Sequence, residues 1–275
     1  MSDADAVPEG VDPTRSSAAR LYDYYLGGTH NYEVDRQAAE QIRAIVPELA
    51  EAAWANRGFH GRAAIWMAAE QGIRQFIDLG SGLPTQNNTH QAVAKVAPQA
   101  RVVYVDNDPM VAAYSAPLLA ANGSTALITA DLRDPDSVLG HPELRRLIDC
   151  TEPVGVLMTA VLHFVADGSD PWGLVRQYMA AVAPGSYLAL SQVTSDNMPP
   201  RATRVTHELY AQATSDLYPR PRAEFTRFFD GLQLVPPYPG AEAAVTYVGL
   251  WGAEDPAAAD TDGSRVWYCG VARRP

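Results

Sequence analysis

The period of the apolar positions changes twice along the chain, and these changes predict its organisation. From Ser16, apolar residues recur at three- and four-residue spacing, as Ala19, Tyr22 and Leu26 with Ala18 and Tyr25, until Gly27-Gly28 stops the run. That spacing predicts an amphipathic helix. A second helical stretch covers about Val34 to Val46 and ends at Pro47. A third runs from Glu48 to Gln71, with Gly72 as its stop and Gly58 and Gly61 as candidate breaks.

Short apolar runs then alternate with helical patterns. Gln75–Leu79 reads as a strand, followed by a Gly-rich turn and a helix to about Val96. Arg101–Val105 is a second strand, and Asp108-Pro109 opens a helix to about Ala121, with an N-cap residue followed by Pro at the first helical position. Ala126–Ala130 and Val154–Met158 are the third and fourth strands; Asp170-Pro171 opens a helix to about Ala183, and Ser186–Val193 is the fifth strand. Strands alternating with helices at this spacing predict βαβ units in a parallel, doubly wound sheet. Past Val193, Arg201–Ala213 and Arg222–Phe229 read as helices, Leu232–Val235 and Val266–Ala272 as closing strands, and 236–264 as mostly loop. The expectation is an acidic loose tail at 1–14 and a single α/β domain at 15–275. Within it, helices fill 15–72, a Rossmann-like nucleotide-binding core 73–195, and cap helices with closing strands 196–275.

Composition narrows the function. The 275 residues carry 21 Lys+Arg against 32 Asp+Glu, a formal net charge of −11. Such a chain is poorly suited to a phosphate backbone or an anionic membrane, although arginines cluster at 201–227. No apolar run reaches the roughly 18 residues that read as a bilayer span. The acidic N-terminus, with Asp3, Asp5, Glu9 and Asp12, has the wrong sign for a secretory or transit segment, so a cytoplasmic location is expected. Cys150 and Cys269 read as free thiols, and neither they nor the histidines have metal-ligand spacing.

The most informative stretch is Asp78-Leu79-Gly80-Ser81-Gly82-Leu83-Pro84-Thr85, between a strand and a helix. Gly80 and Gly82 let the backbone bend sharply and approach a ligand. Asp106, at the end of the second strand and 24 positions beyond Gly82, is placed for ribose hydroxyls. A dinucleotide enzyme wants a third small residue where Pro84 stands, so that a pyrophosphate can reach the helix start. S-adenosylmethionine has no phosphate; its sulfonium and amino group suit Asp78, and Asp131, after the third strand, suits its adenine amino group. This reading is preferred over a nicotinamide dinucleotide oxidoreductase, which also lacks a Tyr-x-x-x-Lys pair here.

The chain resembles the S-adenosyl methyltransferase family abundant in actinomycetes and first catalogued as a domain of unknown function. The resemblance spans about Arg20 to Arg274. It rests on Ala19-Arg20-Leu21-Tyr22-Asp23-Tyr24-Tyr25-Leu26-Gly27-Gly28, on Asn31-Tyr32, on Asn56-Arg57-Gly58-Phe59, on the Gly-Leu-Pro-Thr turn, on Tyr104-Val105-Asp106-Asn107-Asp108-Pro109, on Asp131-Leu132-Arg133-Asp134-Pro135 and on Ala160-Val161-Leu162-His163-Phe164. Thr29-His30 replaces a pair more usually Lys-Asp in that family, and Gln192 stands where His is common. The resemblance implies a class I methyltransferase fold with S-adenosyl-L-methionine as cofactor. It places Asp78, Gly80 and Gly82 at the methionine moiety, Asp106 at the ribose, and Asp131 and Leu132 at the adenine. Tyr22, Gly28, Ser81, Asn107 and Ala160 complete the expected cofactor set.

On the acceptor side, Gly28 and Asn31 are expected to close as a lid, with Tyr22 and Tyr25 shaping the methyl pocket. His163, just past the fourth strand, is the one candidate general base. Arg36, Arg57 and Arg62 read as salt-bridging residues. The expected activity is methyl transfer to a small molecule by a monomer or homodimer; the alternative is a non-catalytic module that binds S-adenosylmethionine or its product.

Overall fold

The computed structural model describes residues 7–84, 87–119, 123–196, 208–210 and 213–275. Three helices lead in: α1 (Ala18–Tyr25), α2 (Glu33–Arg43) and α3 (Leu49–Ala69). The α1 start is set by Ser17, whose hydroxyl accepts from Arg20 N–H. Gly58 and Gly61 do not break α3, which runs through both. Each costs about 1 kcal/mol against Ala in a helix, whereas α3 buries Ala52, Phe59, Ala63 and Met67 completely, and that packing decides the outcome.

Alternation follows: β1 (Gln75–Leu79), α4 (Thr89–Ala94), β2 (Arg101–Asp106), α5 (Pro109–Leu119), β3 (Thr125–Thr129), α6 (Pro135–Gly140), α7 (Pro142–Leu147), β4 (Gly155–Thr159), α8 (Pro171–Ala181) and β5 (Tyr187–Val193). The short β6 (Gln233–Leu234) and β7 (Thr246–Tyr247) precede β8 (Trp267–Arg273). The strand order is β3-β2-β1-β4-β5-β8-β6, with β7 also on β8. β1 to β5 are parallel and β8 is antiparallel to β5. The chain is thus a doubly wound α/β protein, as its sequence predicts.

Three details differ from expectation. Helices α6 and α7 were not anticipated, although each opens on a capping side chain followed by Pro: Asp134 Oδ1 accepts from Ser137 N–H, and His141 Nδ1 from Glu143 N–H. The stretch 236–264 contains β7 and a short helix, Pro256–Ala259, within its loops. The helix expected at Arg222–Phe229 is Arg222–Thr226 continued by a 3₁₀ turn, Arg227–Phe229. The helix expected at Arg201–Ala213 lies almost wholly outside the described residues.

Two features of the sheet position the site. β1 neighbours β2 on one side and β4 on the other, so the chain reverses its winding there and leaves a crevice at the carboxyl ends of β1 and β4. β1 is buried on both faces. Side chains alternate along a strand, so Ile77 and Leu79 join one apolar layer, while Phe76 joins the layer built with Phe59, Ala63 and Met67 of α3. Asp78 shares the Phe76 face and therefore lies under α3.

Candidate functional site

The glycine turn after β1 is locked onto β2: Gly80 N–H and Ser81 N–H both donate to Val105 O, at 2.8 and 3.2 Å. Gly80 has φ +73°, and a Cβ there would meet Val161 Cγ2 at 2.3 Å, so both backbone and space require glycine. Gly82 has φ +67° with open space where a Cβ would point. Its N–H donates to Asp106 Oδ2 (2.8 Å), and Asp108 N–H donates to Asp106 Oδ1 (3.0 Å). Each carboxylate oxygen is thus oriented by a backbone donor and keeps acceptor capacity. Withdrawal from water raises the Asp106 pKa to about 6, against the backbone hydrogen bonds that lower it.

The turn opens into a cavity of about 670 Å³, within the range of small-molecule sites. Its wall includes the expected Gly80, Ser81, Gly82, Asp106, Asn107, Asp131 and Leu132, together with Tyr22, Tyr25, Ala160 and His163. Ala160 has φ +60°, an uncommon conformation for a residue with a Cβ. Its N–H donates to Ser191 Oγ and Ser191 O, each at 3.1 Å. Ser191 Oγ donates to Asn56 Oδ1 (2.5 Å), Asn56 Nδ2 to Tyr22 Oη (2.9 Å), and Tyr22 Oη to Ala53 O (3.1 Å). This chain fixes the Tyr22 ring from β4, β5 and α3 together.

Three expected site residues lie outside the cavity wall. Gly28 and Asn31 wrap Asp23 rather than closing as a lid. Asn31 Nδ2 donates to Asp23 Oδ2 (3.0 Å) and to Gly28 O (2.9 Å), His30 N–H donates to the same carboxylate oxygen (2.9 Å), and a Cβ on Gly28 would strike Asp23 Oδ1 at 2.1 Å. Asp23 itself reaches the cavity. Asp78, 3% exposed, sits behind the wall.

Asp131 and His163 also differ in character from the expectation. The Asp131 carboxylate is already engaged by Arg133, whose Nε lies 3.0 and 2.9 Å from its two oxygens and whose backbone N–H donates at 2.9 Å. That pairing holds its pKa below the usual carboxylate range. His163 is 2% exposed, packed edge-on against Phe164 and Trp267. Its Nδ1 accepts from Val193 N–H at 3.4 Å. Burial, with the Arg220 charge nearby, pushes its pKa down to about 3. The ring is neutral with its basic nitrogen facing a backbone donor, a poor arrangement for a general base.

The sequence reading missed His60, Thr89 and Thr159. Thr89 Oγ1 donates to Asp78 Oδ2 (2.6 Å), His60 Nε2 lies 2.7 Å from Thr89 Oγ1, and His60 Nδ1 lies 2.9 Å from Thr159 Oγ1. His60 and Thr159 line the cavity. One signal was available: Asn56 and His60 are polar residues four apart on the buried stripe of α3. Arg57, also on the wall, donates to Asn88 Oδ1 (3.0 Å). At the start of α4, the Asn88 N–H is taken by Gln91 Oε1 (3.0 Å), so that donor is not free for a phosphate. Among the described residues, no three His, Cys, Asp or Glu side chains converge as a metal site, and no helix is long and apolar enough to cross a membrane.

A doubly wound sheet with a tight glycine turn at its switch point and an oriented carboxylate at the end of the neighbouring strand is the layout of a nucleotide-type α/β binding fold. A family model described as S-adenosyl methyltransferase matches residues 4–275, and the chain belongs to that family. A solved DUF574 family protein from Streptomyces avermitilis is 41% identical, with a TM-score of 0.87 over 96% of this chain and 99% of its own. A candidate methyltransferase from Thermobifida fusca is 37% identical, with a TM-score of 0.87 over 97% of both chains. A search of curated proteins returns no match. The cofactor is S-adenosyl-L-methionine, and the cradle described above fits it: an open approach at Gly82, an oriented Asp106, and acidic rather than phosphate-binding surroundings.

Proposed function

We propose that the protein transfers the methyl group of S-adenosyl-L-methionine in line to an uncharged, largely apolar small molecule. The observation that carries this reading is the apolar part of the cavity wall. Tyr25, Ile42, Leu49, Phe164, Tyr210 and Leu217 line it and belong to one apolar cluster. Two of the charges in the wall are engaged within the chain: Arg20 pairs with Asp35 at 2.7 Å, and Asp23 is wrapped by Asn31 and His30. Such walls favour a neutral, ring-containing acceptor over a charged one. The net charge of −11 disfavours a polyanion.

When bound, S-adenosyl-L-methionine supplies an electrophilic methyl carbon on a sulfonium. The chain supplies binding, alignment and exclusion of water. Asp106 presents two oriented oxygens to the ribose hydroxyls. Tyr22, held at both its donor and acceptor ends, and Trp267, with ring centroids 6.1 Å apart, give a rigid wall between the cofactor side and the apolar part of the cavity. His163 acts as part of that wall. Its pKa near 3 makes it too weak a base to draw a proton from an acceptor, so it replaces the general-base role with a positioning one.

The test is S-adenosylhomocysteine formation with a panel of neutral aromatic phenols and amines, an unstructured peptide and an oligonucleotide. Turnover is expected with members of the first group. Turnover confined to peptide or oligonucleotide overturns the acceptor class. Tight cofactor binding with no turnover on any arm favours the binding-module alternative.

A further inference from the structure

Asp78 is a carboxylate inside a strand buried on both faces, and it does not reach the cavity. An isolated buried charge of this kind costs several kcal/mol unless it is hydrogen-bonded or paired. Among the described residues its side-chain donor is Thr89, which is fully buried. Proton counting then orients the rest of the network. A hydroxyl has a single proton, and Thr89 gives its own to Asp78. Thr89 Oγ1 must therefore accept from His60 Nε2, which makes His60 the Nε2–H tautomer. His60 Nδ1 is then an acceptor, and the nearest donor is the Thr159 hydroxyl. Burial beside Arg57 pushes the His60 pKa to about 3, so the ring is neutral and this tautomer logic applies. Every proton in the chain points inward, towards Asp78.

The consequence lies at the cavity end. Thr159 is half-buried at the carboxyl end of β4, next to the strained Ala160. Its proton is committed inward, so it shows the cavity only lone pairs, polarised by a carboxylate three hydrogen bonds away. We propose that Thr89 and His60 relay the charge of Asp78 to Thr159 Oγ1, which accepts a hydrogen bond from the ammonium of the bound amino-acid moiety. The inference rests on S-adenosyl compounds as ligands. It makes Thr159 a direct contact and His60 and Thr89 positioning residues, and it assigns no proton transfer to any of them.

The test is calorimetric titration with two probes: S-adenosylhomocysteine, and its desamino analogue, which keeps the carboxylate but lacks the ammonium. Thr159→Val is expected to weaken S-adenosylhomocysteine about tenfold, the scale of one hydrogen bond to a charged group. The desamino analogue should bind Thr159→Val and wild type alike, and Thr159→Ser should restore S-adenosylhomocysteine binding. His60→Phe, which removes both ring nitrogens at similar bulk, should reproduce the selective loss. An unchanged S-adenosylhomocysteine affinity, or equal losses for both probes in both variants, overturns the proposal. Failure of the wild type to bind either probe would instead count against the cofactor assignment, so the two failures are distinguishable.

Discussion

The inner and outer acids of the crevice are chemically opposite. Asp78 and Asp106, at the carboxyl ends of β1 and β2, are held by the Thr89 hydroxyl and by backbone N–H groups respectively, and burial raises both pKa values to about 6. Asp131, at the rim after β3, is clasped by Arg133 and its pKa is lowered. Rim acidity is satisfied within the chain. Inner acidity is held at a cost to the free protein, and a cationic, hydroxyl-bearing ligand relieves that cost. This contrast separates site chemistry from surface charge better than the net charge of −11 does.

The largest expected effect comes from Asp106, the inner acid proposed to face the ribose. Asp106→Ala should weaken S-adenosylhomocysteine about a hundredfold, because two hydrogen bonds to a charged acceptor are lost together; a loss below about fivefold in calorimetry would erase the distinction between inner and outer acids. Asp78→Asn should show the cost of the inner charge directly. The folded-state pKa of Asp78 lies above the ordinary aspartate value of 3.8. The folded protein therefore binds the proton more tightly than the unfolded chain, and stability falls as pH rises from about 4 through 6. Asp78→Asn should accordingly raise stability by about 1–3 kcal/mol at pH 8, with the gain vanishing near pH 4, while weakening S-adenosylhomocysteine. Urea denaturation of the ligand-free protein at the two pH values checks this, and an equal effect at both would contradict it.

Smaller changes sharpen the same contrast. Asp131→Ala should cost no more than about threefold in affinity and about 0.5 kcal/mol in stability, since its ion pair is at the half-exposed rim. That small contribution is present above the unfolded pKa and disappears as pH falls below it. His163→Gln should leave the shape of the kcat pH profile unaltered. Disappearance of a limb near neutral pH in this variant would reinstate His163 as a base.

Legibility in the sequence followed locality. The β1–β5 alternation, the glycine turn and Asp106 lie within contiguous segments whose period and spacing announce them. Helices α6 and α7 are equally local, but the six-residue bodies behind the Asp134-Pro135 and His141-Pro142 starts are too short to show a helical period. The His60 relay joins α3, α4 and β4 across separations of 29 and 99 residues; no local pattern encodes such a meeting. Gly28 and Asn31 show the other side of locality: in this structure they fix Asp23 and do not line the cavity. A distinctive local signature pointed to ligand, but its polar groups are consumed in fixing Asp23. The long-range clue in the sequence is a pair of polar side chains, Asn56 and His60, on the buried face of α3.

The most direct measurement is the affinity of the wild-type protein for S-adenosylhomocysteine across pH 5 to 8. The ammonium and carboxylate of the ligand keep their charges in this range, and His60 and His163 are held neutral throughout it. If the inner acids must be ionised to receive the ligand, affinity rises by up to about tenfold per pH unit for each proton released and levels off above an inflection near pH 6. A flat profile over the whole range would contradict the account.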